Sequence, residues 1–281
     1  LTEANGYTRI NLKIDKINDI PLKTPPTLEE QIAIANYLDK KTAEIDELIK
    51  QKEELLLLFE EEKKAVINNA VTKGINPKVR LKDSEIDWLG EIPEHWKIKR
   101  IKHLSTIISK GTTPSTIGKE IQLSGKIRFI KAENIVDNEV VSEPENYIDD
   151  ITNDLLKRSQ LVENDILFVI AGATLGKVAI LNNKFLPANT NQAISFIRLK
   201  DINEVKFVWY YLQSSIITRI IWLNAVQSAQ PNLSMENLGN FYLPFPESDE
   251  LPIIVNYIEN ECNNINSKAR ITKKLIEQLK E

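Results

Sequence analysis

Residues 27–74 read TLEEQIAIANYLDKKTAEIDELIKQKEELLLLFEEEKKAVINNAVTKG, a stretch that contains no proline or glycine before its last residue. Thr27 followed by Glu30 has the pattern of a capping box, and Gly74 suits a helix C-terminus. The positions seven residues apart from Leu38 onward are Leu38, Ile45, Lys52, Phe59 and Val66, apolar except for Lys52, which is typical of coiled-coil packing. The stretch therefore predicts one helix of roughly 46 residues, about 70 Å long at ~1.5 Å per residue, which needs a partner.

A second stretch with the same apolar spacing, PESDELPIIVNYIENECNNINSKARITKKLIEQLKE, occupies residues 246–281. Pro252 is tolerated in a first helical turn, so this helix should begin close to residue 250. Helices with matching seam spacing pack into each other's holes, and we expect a coiled coil. The predicted coiled-coil residues are Ile34, Leu38, Ile45, Leu48, Leu55 and Phe59 in the first helix and Ile254, Ile258, Ile265, Leu275 and Leu279 in the second.

The segments that precede the two helices are also alike. NLKIDKINDIPLKTPP (11–26) and NLSMENLGNFYLPFP (232–246) share asparagine-leucine starts, apolar positions and a proline-marked break, 221 residues apart. We interpret the two segments and their helices as an internal repeat. Because Leu1 already lies inside a repeat unit, we expect a truncated chain or a naturally halved protein.

The residues between the helices have the composition of a separate globular unit. Short runs rich in isoleucine, valine and phenylalanine predict strands at 126–135, 164–172, 177–181 and 192–199. Residues 205–224 predict one amphipathic helix. The fold class expected is α+β, a globular domain of mixed strands and helices framed by two long repeat helices. The predicted division is the tail of a first domain (1–26), a long helix (27–74), a second domain with its connector (75–245) and a distal helix (246–281).

Composition narrows the classes of function. The net charge is −4, yet residues 97–131 hold nine basic side chains against one acidic side chain, enough for phosphate contacts or simply a solvated charged surface. The single cysteine excludes an internal disulfide, and two histidines are too few for a histidine-rich metal site. No secretory signal or membrane-spanning run is visible, so we expect a cytoplasmic protein.

Three polar stretches could contact DNA. SKGTTPST (109–116) offers hydroxyls beside a lysine, while NTNQ (189–192) and QSAQPN (227–232) offer amides that can pair with adenine. GATLGKV (172–178) fails as a phosphate loop in spacing and in its last residue, and we predict a tight turn between strands. The DNA-binding candidates are Lys110, Thr112, Thr113, Ser115, Lys131, Asn134, Thr174, Lys177, Asn191, Gln192, Gln227, Ser228 and Gln230.

An enzyme remains an alternative, since Asp201, Glu204 and Lys206 resemble the acidic residues and lysine of metal-dependent nucleases. A scaffold that does not bind DNA is another alternative. No catalytic residue and no metal ligand is predicted, because no nucleophile-base pair and no adenine-methylation motif is visible in the sequence.

The arrangement resembles the specificity subunit of type I restriction–modification enzymes. The similar stretches are IPLKTPPTLEEQIAIANYLDKKTAEIDELI, WLGEIPEHWKIKRIKHL, DILFVIAGATLGKVAIL, NTNQAISFI and AQPNLSMENLGNFYLPFP. Members carry two target-recognition domains and two conserved helices, whereas this chain has one of the domains and the tail of another. The resemblance implies that each domain reads one half of a split double-stranded DNA target, and that the two helices form an antiparallel coiled coil.

The resemblance also implies that catalysis resides elsewhere. Modification (methyltransferase) subunits would dock on the outer faces of the helices. A restriction and translocase subunit and a second copy of this chain are further candidate partners. S-adenosylmethionine, ATP and magnesium would bind the partner subunits, so no cofactor is expected here. The helices would set the spacing between the half-sites. The target sequence, the spacer length and the oligomeric state are left open.

Overall fold

The computed structural model describes residues 17–225 and 232–281. Within them the α-helices are α1 (Leu28–Lys73), α2 (Ile101–Leu104), α3 (Asp150–Leu155), α4 (Val205–Leu212), α5 (Ser215–Ala225), α6 (Met235–Gly239) and α7 (Glu250–Lys280). The strands are β1 (Leu81–Asp83), β2 (Glu91–Pro93), β3 (Lys97–Arg100), β4 (Ser105–Lys110), β5 (Ile127–Ile130), β6 (Ile135–Val136), β7 (Glu139–Val140), β8 (Tyr147–Ile148), β9 (Gln160–Leu161), β10 (Ile166–Val169), β11 (Val178–Ile180), β12 (Ala188–Thr190), β13 (Ile194–Leu199) and β14 (Tyr242–Phe245).

Two compact units divide the chain. The first contains the described residues up to Leu56 together with Ile271–Glu281, and the second contains Leu57–Arg270. Helices α1 and α7 each contribute residues to both units. The mixture of helices and strands confirms the α+β class, while the four-segment division of the chain stays a prediction.

Helix α1 begins and ends where its capping residues predict. The hydroxyl of Thr27 accepts a hydrogen bond from the amide of Glu30 at 3.2 Å, so it satisfies one of the free amides of the first turn. The helix stops before Gly74, whose φ of +74° is a conformation that side chains with a Cβ rarely adopt. The predicted range of 27–74 is thus one residue longer at each end than the observed helix.

A four-stranded antiparallel sheet forms the centre of the second unit, in the order β11-β10-β13-β4. Alternate residues of β10 face opposite sides of this central sheet. Ile166 and Phe168 belong to a core that contains α4 and the adjoining ends of α1 and α7, whereas Leu167 and Val169 belong to a core shared with a second sheet. Burial on both faces explains why the sequence of β10 is continuously apolar.

The second sheet has the order β8-β5-β12-β9 and contains one parallel pair, β5 with β12. Its other neighbours are antiparallel, as are the two-stranded pairs β1-β2, β6-β7 and β3-β14. Because β12 leads directly into β13, the turn between them joins the second sheet to the central sheet.

Within the second unit, α1 and α7 run antiparallel. Gly74 at the end of α1 lies near Glu250 at the start of α7, and Lys63 Nζ lies 3.4 Å from Asn266 Oδ1 further along. Three predicted seam residues are buried here: Ile254, Ile258 and Ile265. The coiled-coil interpretation is confirmed for this part of the helices, and Phe59 is half-buried.

In the first unit, the residues of α7 that lie at the helix seam differ from the predicted ones. Leu275 is 41% exposed, whereas Ile276 is 7% exposed and Thr272 is also buried. The side chains at intervals of seven residues, Ile258, Ile265 and Thr272, are buried, and the next one, Leu279, is half-buried. The prediction for Leu275 was wrong because it came from alignment with Leu55, not from this heptad.

Four predicted seam residues of α1 are also exposed in the first unit: Ile34, Leu38, Ile45 and Leu48. Lys280, the last residue of α7, lies beside Glu53 with its Nζ 3.1 Å from Oε1. Among the described residues, the part of α1 that precedes this ion pair has no α7 residue opposite it. Leu55, which follows the ion pair, is half-buried.

Residues 205–224, predicted as one helix, contain a break between α4 and α5. The backbone amide of Ser215 donates to Asn68 Oδ1 of α1 at 2.7 Å, and this contact starts α5 in place of a continued α4. The partner that breaks the helix lies 147 residues away in sequence, so local periodicity could not predict it. Among residues 17–225 and 232–281, no helix is both long and apolar enough to cross a membrane.

Candidate nucleic-acid interface

Strand register brings two of the predicted polar stretches, SKGTTPST and NTNQ, to one end of the central sheet, together with the GATLGKV turn. Val169 at the end of β10 pairs with Ile194 at the start of β13, and Ser195 pairs with Lys110 at the end of β4. The segments that leave these strands therefore begin side by side. We call these segments, together with Lys110 at the end of β4, the loop surface: residues 110–119, 170–177 and 191–193.

Gly111 holds the 111–119 segment against the 191–193 segment by close backbone contact. A Cβ at this position would lie 1.9 Å from the carbonyl oxygen of Thr190, so only glycine fits. The amide of Gly111 donates to Ile194 O and the amide of Thr112 donates to Thr190 O, both at 3.2 Å. The loop that carries the hydroxyl side chains is thereby fixed against the β12-β13 turn.

A side-chain hydrogen bond also joins the 111–119 and 191–193 segments. The Thr113 hydroxyl donates to Gln192 Oε1, a bond that does not use the amide nitrogen of Gln192. Gln192 and Ser115 are exposed, while Thr112, Thr113, Asn191 and Lys110 are half-buried. Six candidates from separate stretches of sequence therefore lie near one another on the loop surface.

In the NTNQ stretch, the first two side chains are buried and hydrogen-bonded in the interior, and the last two reach the surface. Asn189 is fully buried and its Nδ2 donates to Asn153 Oδ1 and Leu156 O, and buried Thr190 donates to Ile130 O. Asn191 Oδ1 accepts from the amide of Ala193 at 3.2 Å, which shapes the turn. Only Asn191 and Gln192 thus present polar atoms at the surface.

GATLGKV forms the predicted tight turn, between β10 and β11. Leu175 and Lys177 donate backbone hydrogen bonds to Gly172 and Thr174, and the amide of Ile170 donates to Ala193 O at 2.8 Å. The turn therefore adjoins residues 191–193. Thr174 is half-buried and Lys177 is exposed, with its Nζ 3.3 Å from Ile135 O.

Asn232 pairs with Ala171, near the start of this turn, in an isolated antiparallel bridge. The preceding stretch, with Gln227, Ser228 and Gln230, lies outside the described residues. The same holds for residues 1–16, which include most of the first repeated segment. The predictions made for these residues stay predictions.

Two candidates do not lie on the loop surface. Asn134 was expected at the surface and is 1% exposed, because its side chain accepts from the amide of Lys131 and donates to Val141 O and Pro144 O. That expectation was wrong: the amide stabilises the backbone before β6. Lys131 Nζ lies 2.8 Å from Glu133 Oε1 in an ion pair.

The basic stretch at 97–131 is partly neutralised by carboxylates from later parts of the chain. Arg128 lies 3.1 Å from Glu145, in addition to the pair between Lys131 and Glu133. Lys99 lies 4.0 Å from Glu204, so only part of the local positive charge remains for a ligand. Lys110 forms no ion pair with a carboxylate among the described residues.

A concavity of about 730 Å³ adjoins the 170–177 segment of the loop surface. Helix α1 lines one wall with Glu60, Lys63 and Lys64, and the turn that carries Lys177 lines another. Sequence reasoning missed Lys63 and Lys64, since consecutive lysines off the apolar seam look like an ordinary solvated helix face. Only the tertiary structure brings these lysines beside the turn.

The nuclease alternative gains no support from the geometry. Lys206 Nζ forms an ion pair of 2.6 Å with Glu259 of α7, and Asp201 Oδ1 caps the amide of Asn203. Burial raises the pKa of Glu204. Among the residues that the structure describes, no group of three histidine, cysteine or acidic side chains could hold a metal ion.

Residues 93–281 match the family described as the type I restriction modification DNA specificity domain. The matched segment covers more than half of the chain, and the chain therefore belongs to this family. The type I restriction enzyme MjaVIII specificity subunit of Methanocaldococcus jannaschii is 27% identical over 289 residues, which covers 99% of this chain and 63% of that protein. The EcoBI specificity subunit of Escherichia coli is 25% identical over 266 residues, covering 91% and 54%.

Solved structures show the same fold. A chain from a structure that concerns complex assembly and conformational transition of the type I R-M system has a TM-score of 0.66 at 18% identity, covering 91% of this chain and 57% of that chain. The HsdS subunit from Thermoanaerobacter tengcongensis has a TM-score of 0.54 at 16% identity, covering 99% and 63%. This chain thus spans less than two thirds of the length of each of these relatives.

Proposed function

We propose that this chain is a DNA-reading part of a type I specificity subunit, and that its loop surface reads one half of a bipartite double-stranded target. The observation that carries the proposal is the strand register, which collects hydroxyl, amide and lysine side chains from three loops at one end of a rigid sheet. Amides and hydroxyls can read base edges in the major groove, and lysines hold phosphates. Family membership supports the same function.

The chain itself catalyses nothing in this proposal. Methyl transfer and cleavage would belong to modification subunits and to a restriction and translocase subunit, which would bind S-adenosylmethionine, ATP and magnesium. The outer faces of α1 and α7 would dock the modification subunits, and a second copy of the chain could supply another half-site reader. Leu57 of α1 lies off the predicted seam and is exposed, which supports a docking role for the outer face.

Selection from a pool of random duplexes tests the reading function. We expect the chain, alone or with its modification subunit, to enrich one short asymmetric motif, and a Gln192→Ala variant to lose preference at one position of it. Enrichment of no motif in either condition would favour a scaffold. Cleavage of a plasmid by the chain and magnesium alone would favour a nuclease.

The two long helices would set the distance between half-sites. Seven residues inserted at matched positions of α1 and α7 lengthen the pair by about 10 Å, or roughly three base pairs at ~3.4 Å each. We expect the methylated target of the complete system to gain about three base pairs of spacer. A methylome with the original spacer would contradict the role of the helices as a ruler.

A further inference from the structure

We infer that Lys63 and Lys64 of α1 bind the phosphate backbone of the same duplex that the loop surface reads. This inference rests on the proposed function and adds to it a second point of contact, on the long helix and outside the reading loops. It starts from the concavity of about 730 Å³, whose walls are α1 on one side and the turn at 170–177 on the other.

The concavity carries an excess of positive charge. Three lysines line it, Lys63, Lys64 and Lys177, against the single carboxylate of Glu60. Lys64 and Lys177 are exposed. Among the described residues no carboxylate forms an ion pair with any of the three, and the only neutral acceptors near their ammonium groups are Asn266 Oδ1 and Ile135 O, at 3.4 and 3.3 Å.

The floor of the concavity is apolar and rigid. Ile67, Leu212 and Ile221 line it, and each is buried in the core of the second unit. Flexible lysine side chains on a fixed frame can follow a phosphate backbone without reading its sequence. Because the turn at 170–177 belongs to both the concavity and the loop surface, a duplex on the loops has one backbone beside these lysines.

Phosphate contacts from α1 would have a mechanical consequence. Such contacts fix the register and orientation of a protein on the duplex. The helix that the proposed function uses as a ruler would then be oriented by the DNA directly, in addition to its connection to the reading loops.

The test compares salt dependence of binding among variants of the whole chain. The probe is a fluorescein-labelled random-sequence duplex, titrated by anisotropy at several potassium chloride concentrations. Each phosphate contact contributes about 0.9 to the slope of log K against log salt. We expect Lys64→Gln to reduce the slope by about 0.9, Lys63→Gln with Lys64→Gln to reduce it by about twice that, and Lys64→Arg to keep it.

Lys73→Gln is the matched control, since Lys73 lies nine residues beyond Lys64 and therefore on the opposite face of α1. We expect it to bind with the slope of the unmodified chain. A slope that Lys64→Gln leaves unchanged, or that Lys73→Gln lowers equally, would overturn the inference while the unmodified chain still binds DNA. Failure of the unmodified chain to bind any duplex, both alone and with its modification subunit, would overturn the proposed function, and the inference with it.

Discussion

The guanidinium of Arg198 in β13 holds the carboxylate of Asp165, the residue before β10, through two hydrogen bonds of 2.8 Å. Asp165 is fully buried and also accepts from the amide of Val162. The pair ties the two central strands together at the end of the sheet opposite to the loop surface. We expect Arg198→Ala to lower the free energy of unfolding by about 3 kcal/mol, because an unpaired buried charge remains. Urea denaturation measures this, with exposed Arg158→Ala as the control.

The cost of Arg198→Ala should depend on pH. Burial already raises the pKa of Asp165, and the variant loses the hydrogen bonds from Arg198 that lower it. The folded variant therefore takes up a proton at a higher pH than the unfolded chain does, and its deficit is largest above that raised pKa. We expect a smaller deficit at about pH 5 than at about pH 7. Equal deficits would show that the charge of Asp165 is not the cause.

Gly111→Ala should disrupt the loop surface. The added Cβ would meet the Thr190 carbonyl at 1.9 Å, and backbone on both sides leaves little room to adjust. We expect a loss of about 1–3 kcal/mol of stability together with loss of sequence preference in DNA binding. Ser115→Ala, on an exposed residue of the same loop, should keep the melting temperature. Equal melting temperatures for Gly111→Ala and Ser115→Ala would contradict the close approach of Gly111 to the Thr190 carbonyl.

Adjacent residues of α7 test the corrected seam. Ile276 is 7% exposed and Leu275 is 41% exposed, so truncation of the former removes buried contacts. We expect Ile276→Ala to cost about 2–4 kcal/mol and Leu275→Ala well under half of that. Thermal unfolding followed by circular dichroism compares the two. A larger cost for Leu275→Ala would restore the seam predicted from sequence.

Lys110 should contribute to DNA binding without reading bases. We expect Lys110→Ala to weaken binding to every duplex alike and to reduce the salt slope by about 0.9. Lys200→Ala is its control, because Lys200 follows β13 at the other end of the central sheet. An unchanged slope for Lys110→Ala would remove Lys110 from the phosphate contacts.

Gln192 should instead contribute to specificity. Its side chain is exposed, and the hydrogen bond from Thr113 uses its carbonyl oxygen and not its amide nitrogen. We expect Gln192→Ala to lose about 1–3 kcal/mol of discrimination at one base pair, with the salt slope kept. Competition between the selected motif and its single-base variants measures this. Equal losses across all positions would indicate damage to the loop.

Local patterns were good predictors where the interactions are local. The capping residue Thr27 and the glycine at position 74 predicted both ends of α1 to within one residue. The start predicted near residue 250 is the observed start of α7. Short apolar runs located β5, β10, β11 and β13. Each of these features depends on neighbours a few residues away in the chain.

Predictions failed where a distant residue decides the outcome. Asn134 is a polar residue in a loop, yet three backbone groups around it bury its amide. The break between α4 and α5 depends on Asn68 of α1. Ile276 and Leu275 are both apolar, and only their packing shows which one lies at the seam.

The sequence alone determined that two long helices frame an α+β domain, because helix caps and apolar periods act through near neighbours. It also pointed to the polar stretches around Lys110, Thr174 and Gln192. That these stretches share one surface depends on tertiary structure, because the pairing of β4, β10 and β13 joins residues as distant as Ser105 and Leu199, 94 positions apart. That pairing also decided which polar side chains stay in the interior and which are left to meet a ligand.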